Sequence, residues 1–462
     1  MKRLFRQQKS EKQTLAAAPD AKDGKGTRVA PSSLALPASV GVSARASSHS
    51  IPDFGFVSVQ NSRGASGAIA ELSNHFDILL ADWNSNDEFG ARRRQLENKL
   101  RKQAEEHVNA RLDIQHGVSP WQHTSVDVTI LTAAIKCSVA AYDPSARVPS
   151  DDTLAFTAIH SIPASTSGVI KATTFTRVTS AASCQQLPAE KSFSALVIAV
   201  RGSMKMIDWV VNANYEPCDA YDLLASAEWL PNERVHDTFR VHSGFLNGAR
   251  ALLPVVKEQL ASTVGPGSDR ASHVIFTGHS AGGAVASLLY LHFLGIASQT
   301  FPFLRFSLVT FGSPPVIAPS VTTLVNEHLK HQTNPGLAVA VVNETDVVAR
   351  ADNLYLSSLV DLYKSIDSLA PVAETTAQAQ PRTRDGRYWQ LPPPVYYLIG
   401  NVVVLKELEE DSDDPTITAF SVSESDFSRL LFCSSRAHHK EVYQQAVERL
   451  RRAEKVLAET TI

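Results

Sequence analysis

Four largely apolar runs punctuate the middle of the chain, at residues 196–200, 274–276, 306–311 and 338–342. Each is about one strand long and lacks the strict alternation of a half-exposed sheet, so each predicts a strand buried on both faces. Longer segments lie between them. Residues 245–262 repeat apolar positions at helical spacing, and residues 284–297 are apolar almost throughout. Strands alternating with long helices predict an α/β fold, a mainly parallel sheet covered on both faces. Residues 169–178 are mixed in polarity and largely β-branched, which fits an antiparallel strand at the start of this region.

Upstream the pattern is helical. Leu96, Leu100, Ala104, Val108 and Leu112 fall at successive i, i+4 positions within the charged stretch 88–112. They predict one surface helix with a narrow apolar stripe, packing on the domain or on a partner. A second helix is expected over 126–142, with Ile130, Ala134, Cys137 and Ala141 along one side, ended by Asp143-Pro144. Downstream, 370–394 is a Pro-, Thr- and Gln-rich excursion. Residues 395–399 and 401–405 read as two adjacent strands meeting at Gly400, 407–414 as a solvated acidic loop, and 437 onward as a charged helix. The first 60 residues are rich in Ala, Ser, Pro and basic side chains, too poor in large apolar groups to offset ordering entropy. The expected organisation is a disordered basic tail over 1–60, a helical extension over 61–125, and one α/β domain over 126–462 with an insert at about 351–435.

Composition changes this picture little. The chain has 462 residues, 44% of them apolar, and a net charge of −3, which supplies no reason to expect nucleic acid as a partner. Residues 1–50 hold nine Lys/Arg against three acids, so the tail is +6 and the remainder −9. That tail leaves open a peripheral contact with a membrane or lipid-droplet surface. Cys137, Cys184, Cys218 and Cys433 are scattered without Cys-x-x-Cys pairing, so neither a zinc site nor a disulfide framework is expected. No apolar h-region follows the basic start, and no apolar run is long enough to span a bilayer, so a cytoplasmic location is expected.

The chemistry centres on Gly278-His279-Ser280-Ala281-Gly282, set between the 274–276 strand and the 284–297 helix. Gly-x-Ser-x-Gly arises by chance about once in ten chains of this length. Strand before and helix after are what a nucleophile on a strained strand-to-helix turn requires. Such a serine needs a base, an acid to orient the base, and donors for a developing oxyanion. In an open α/β sheet these come from loops after different strands. Arg201-Gly202-Ser203 follows the first apolar run, Asn343-Glu344-Thr345-Asp346 follows the last, and His438-His439 precedes the final helix.

Several blocks resemble, in order, those of the fungal class 3 lipases, which have an α/β-hydrolase fold. They are Val200-Arg201-Gly202-Ser203, Ile207-Asp208-Trp209, Val241-His242-Ser243-Gly244-Phe245 and Gly278 to Ala284. Val309 to Pro315 and Val341 to Val348 continue the order. The resemblance implies Ser280 as nucleophile, Asp346 as triad acid, and Ser203 with the Ala281 amide as oxyanion donors. It implies His438 as base, because the family's histidine often stands five residues before a tyrosine, here Tyr443; His439 is the alternative. It also implies a lid over about 204–211, no cofactor or metal, and a lipid ester as substrate. His242 and His279 read as loop-orienting or core residues, and Asp208 and Trp209 as lid supports. Three features depart from the family: Ala281 where leucine is usual, the long separation of Asp346 from His438, and the missing secretory signal and disulfides. Each assignment has a structural rival. Asp346 suits a turn cap, His438 an exposed helix start, and Ser203 a loop hydrogen bond. The expected activity is acylglycerol lipase or esterase; the alternatives are a phospholipase and an idle hydrolase scaffold for protein interaction.

Overall fold

The computed structural model describes residues 88–114, 118–143, 145, 147–165, 170–181, 193–202, 217–224, 227, 239–264, 271–331, 336–367, 387–408 and 416–460. The basic tail, the lid expected at 204–211, Ser203 and most of the 370–394 excursion lie outside the described residues.

Helix α1 (Glu88–Glu105) leads to β1 (Ser119–Pro120), α2 (Ser125–Ala140), β2 (Leu154–Ile162), β3 (Thr173–Ser180) and β4 (Ser194–Val200). A small pair follows, β5 (Pro217–Asp219) and β6 (Arg240–His242), then α3 (Ser243–Thr263), β7 (His273–His279) and α4 (Ala281–Gly295). The remainder is β8 (Arg305–Phe311), α5 (Pro319–His331), β9 (Ala338–Asn343), α6 (Asn353–Asp367), β10 (Asn401–Leu408), β11 (Thr416–Val422) and α7 (Lys440–Thr460). Nine strands form one sheet in the order β1-β11-β10-β9-β8-β7-β4-β3-β2. Its centre, β4, β7, β8, β9 and β10, is parallel, and both flanks are antiparallel. This is the α/β-hydrolase architecture.

The alternation of side chains along β7 shows why both faces need cover. Val274 and Phe276 pack with Leu246 and Leu252 of α3 and Leu288 of α4. Ile275 points the other way, among Leu131 and Ile135 of α2 and Tyr443, Val447 and Leu450 of α7. Every residue of α4 is buried, which accounts for its lack of a polar face. Helix α2 opens with a reciprocal capping box, Thr124 receiving the Asp127 amide while the Asp127 carboxylate receives that of Thr124.

Two sequence expectations change. The stripe helix stops at Glu105, and Val108 is exposed although Leu100, Ala104 and Leu112 are buried. Its continuation is drawn away by tertiary hydrogen bonds: the Val108 amide donates to the Arg387 carbonyl, and the Asn109 side chain donates to the carbonyls of Trp389 and Arg429. Residues 395–399 form no regular strand beside 401–405. Tyr397 instead exchanges backbone bonds with Ile317, and Gly400 turns with φ +87°, so β10 finds its partners in β9 and β11. Residues 407 and 408 extend β10, while 409–415 lie outside the described residues. Among the described residues no helix is long and apolar enough to cross a membrane.

His273, at the start of β7, is buried against Ser307 Oγ at 2.8 Å, and burial pushes its pKa down to about 3. The unfolded chain binds that proton near the ordinary 6.5, whereas the native chain resists it until about 3. Stability contributed by this group is therefore full above 6.5 and falls with pH below it, by ~1.4 kcal/mol per pH unit. Urea unfolding at pH 6.5, 5.5 and 4.5 should show a shallower decline for His273→Gln than for the unaltered chain. Parallel declines would contradict the assignment.

Candidate active site

Because the central strands are parallel and in register, the loops leaving their carboxyl ends gather at one sheet edge. Val200 pairs with Gly278, His279 with Phe311, and Phe311 with Val341. Gly202, Ser280, Gly312 and Asp346 therefore emerge side by side.

Ser280 stands where β7 breaks into α4. Its backbone has φ +59° and ψ −138°, a conformation that costs a non-glycine residue roughly 1–3 kcal/mol. Two hydrogen bonds hold it there. The Ser280 amide donates to the Phe311 carbonyl at 2.9 Å, and the Gly283 amide donates to the Ser280 carbonyl at 2.8 Å. The flanking glycines are needed for space: a Cβ on Gly282 would run into the Val200 carbonyl, and one on Gly278 into the Gly282 backbone. Strand β4, strand β7 and helix α4 thus touch backbone to backbone under the serine, which is buried at the helix N-terminus with the Ala281 amide beside it.

Asp346 is fully buried, yet its carboxylate is well supplied with donors. The Val348 amide donates to Oδ1 at 2.8 Å and the Tyr443 hydroxyl to Oδ2 at 2.6 Å. His438 Nδ1 lies 2.9 Å from Oδ2 and 3.1 Å from Oδ1. A carboxylate accepts hydrogen bonds, so Nδ1 is the donor to Asp346 and Nε2 faces away from it. That Nε2 is buried with no hydrogen-bond partner among the described residues. Tyr443 stays protonated, since burial and the neighbouring carboxylate hold its pKa well above the ordinary value. Its oxygen also accepts the Asn343 amide at 3.0 Å, while the Asn343 side chain donates to the Ala437 carbonyl at 2.8 Å. The end of β9 is thereby tied to the start of α7 at two points.

His279 brings the histidine and the serine turn together. Its ring lies over that of His438, centroids 4.6 Å apart, and its Nε2 donates to the His438 carbonyl at 2.7 Å. Its Nδ1 then accepts from the Tyr142 hydroxyl at 2.8 Å. Burial, reinforced by His438, keeps the His279 pKa well below the usual value, so the ring is neutral and packs in the core between Tyr142 and His438. His242 is likewise neutral, pushed down to about 4 by burial, and packs on Phe245 and Tyr396.

The structure thus pairs Asp346 with His438 and places Ser280 and Ala281 at the same sheet edge, with no hydrogen bond between His438 Nε2 and Ser280; Ser203 lies outside the described residues, one position beyond Gly202. Of the adjacent histidines, His438 is buried against Asp346 and His439 is half-buried. Three contributors carried no assigned role in the sequence. Tyr443 served there only as a spacing marker. Tyr142 offered no signal, being the last residue of an apolar helix pattern. Gly312 sits in a recognisable block, and its role is steric: φ is +54°, and a Cβ would come within 2.6 Å of Asp346 Oδ2 and 2.9 Å of His438 Nδ1.

Residues 197–355, about a third of the chain, match the family model described as lipase (class 3), a match at family level. No curated protein matches the chain. Among solved structures, the chain is similar to a native Rhizomucor miehei lipase in a propeptide complex, with 18% identity and TM-score 0.40. That likeness covers 70% of this chain and 81% of the other. Lipase II from Rhizopus niveus is 18% identical with TM-score 0.39, covering 70% and 95%. Lip2 lipase from Yarrowia lipolytica is 13% identical with TM-score 0.39, covering 71% and 94%.

Tyr443→Phe should leave Asp346 and the Asn343 amide each short of one hydrogen bond. The expected loss is ~1–3 kcal/mol of stability, read by urea unfolding at neutral pH. A change below ~0.5 kcal/mol would show that the hydroxyl holds neither group.

Proposed function

We propose that the protein is a serine hydrolase that cleaves acyl esters of lipids, an acylglycerol lipase or esterase, with Ser280, His438 and Asp346 as its triad. The family match supports a hydrolase of the lipase type. The observation that carries the finer reading is the His438–Asp346 pair. It makes Nδ1 the donor to Asp346 and leaves a buried Nε2 without a hydrogen-bond partner, on a ring packed at a tilt against that of His279, the residue before Ser280.

In this reading Nε2 takes the Ser280 hydroxyl proton as Oγ attacks the ester carbonyl. The carbonyl oxygen becomes an oxyanion held by the Ala281 amide and a donor from Ser203, each contributing ~3 kcal/mol to the transition state. Collapse expels the alcohol, which leaves with the proton from His438, and Ser280 stays acylated. Water then gives its proton to His438, attacks the acyl carbon and releases the fatty acid, restoring Ser280. Asp346, held by Tyr443 and Val348, orients the ring and stabilises the imidazolium that forms twice per cycle. The partner is a lipid ester met at a membrane or droplet surface.

Ser280→Ala should lower hydrolysis of short p-nitrophenyl esters by ~1000-fold or more and abolish labelling by a fluorophosphonate probe, with the circular dichroism unchanged. His438→Ala should lose activity to a similar degree, while His439→Ala stays within about threefold. Full activity in Ser280→Ala would sink the proposal, and no labelling of the unaltered chain would favour an idle scaffold. Release of fatty acid from phosphatidylcholine vesicles but not from trioleoylglycerol emulsions would make the enzyme a phospholipase.

A further inference from the structure

The N-terminal helix α1 lies outside the segment that matches the lipase family, yet one of its side chains reaches the loop that carries the candidate base. Glu97 is a carboxylate with only 5% of its surface exposed. Its Oε1 accepts three hydrogen bonds from one turn: from the Ser435 amide at 3.1 Å, the Arg436 amide at 3.2 Å and the Ser434 hydroxyl at 3.2 Å. That turn continues as the 3₁₀ segment Arg436–His438, in which the His438 amide donates to the Ser435 carbonyl at 3.1 Å. The Glu97 carboxylate therefore caps the two residues whose geometry sets where the His438 ring stands.

The same helix touches the acid's loop. Leu100 and Ala104 pack in one cluster with Val347 and Val348, directly after Asp346, and with Leu431 and Cys433, directly before the His438 turn. Those two loops also meet each other. The Val347 amide donates to the Ser434 carbonyl at 3.3 Å, and the Ser434 amide donates to the Thr345 carbonyl at 2.8 Å. Three segments far apart in sequence thus close on one another, and the Glu97 carboxyl group lies at their junction. All three donors go to Oε1, and Oε2 is buried with no hydrogen-bond partner among the described residues, so the turn's donors are what hold this buried carboxyl group. Conversely, removing it leaves two amides and a hydroxyl unsatisfied on the segment that must hold an imidazole in position.

We propose that Glu97 is a positioning residue for the hydrolytic reaction, and that helix α1 acts as a clamp on the acid and base loops. This rests on His438 being the general base. Glu97 touches no reacting atom; it acts through the 434–436 turn. Misplacing a base by about 1 Å costs ~100-fold in rate without altering how substrate is held, so the effect falls on kcat rather than KM.

The test compares full-length Glu97→Ala, Glu97→Gln and, as a control on the exposed side of α1, Arg101→Ala. In Glu97→Ala, kcat for a p-nitrophenyl ester should fall ~10–100-fold with KM unchanged. Glu97→Gln, which keeps an acceptor oxygen, should recover most of that loss, and Arg101→Ala should match the unaltered chain. Hydrogen exchange should quicken in Glu97→Ala in peptides covering 430–443, but not in those covering β7 and α4. Unchanged exchange at 430–443 overturns the clamp whether or not the protein is an esterase. Faster exchange with kcat unaltered overturns the positioning role in the reaction. A loss of activity that only tracks the unfolded fraction, measured by circular dichroism on the same samples, does so too. If the unaltered chain neither hydrolyses esters nor labels at Ser280, the esterase reading fails and the positioning of a base by Glu97 with it, while the exchange result still decides whether the clamp exists.

Discussion

A fully buried carboxylate organises the sheet edge at which the ends of the parallel strands gather. Asp346 cannot sit out of reach of solvent at the end of β9 unless donors surround it, and they come from three places in the chain. The Val348 amide is local, but the Tyr443 hydroxyl and the His438 imidazole arrive from some ninety residues away. Breaking such an arrangement from one side leaves an uncompensated buried charge, so the C-terminal helix and the sheet edge are energetically bound together. The same bonds that make the carboxylate tolerable also fix the tautomer of the imidazole.

The second constraint is close approach. Helix α4 begins within backbone contact of β4, and that proximity holds Ser280 in a conformation that would relax if the chain were free. Strain at the serine is sustained by fully buried β7 and α4 on either side, both locked in the core. Gly312 solves the matching problem one strand over, where a side chain would displace the Asp346–His438 pair. Gly282 and Gly312 are thus required by neighbours remote in sequence, Gly278 by the turn itself.

Much of the fold was legible because its core strands are short apolar runs and its helices carry apolar stripes or are apolar throughout. Residues 196–200, 306–311 and 338–342 became β4, β8 and β9 with boundaries moved by no more than two residues. The failures share a cause. The stripe through Val108 and the run at 395–399 have local patterns suited to regular elements, but their backbone groups are taken by Arg387 and Ile317. Propensity is a weak prior once a tertiary partner offers a complete hydrogen bond.

For the site, the sequence by itself determined the serine turn and the order of the blocks after each strand. These depend on residues adjacent in the chain: a strand, small residues, a helix start. Tertiary structure alone decided which groups meet. The pairing of His438 with Asp346, the Tyr443 hydroxyl on that carboxylate, the Tyr142–His279 spacer and the Glu97 contact join residues from 92 to 339 positions apart. No local pattern encodes such distances; they arise from five parallel strands delivering their ends to one edge and from the helices that close over it.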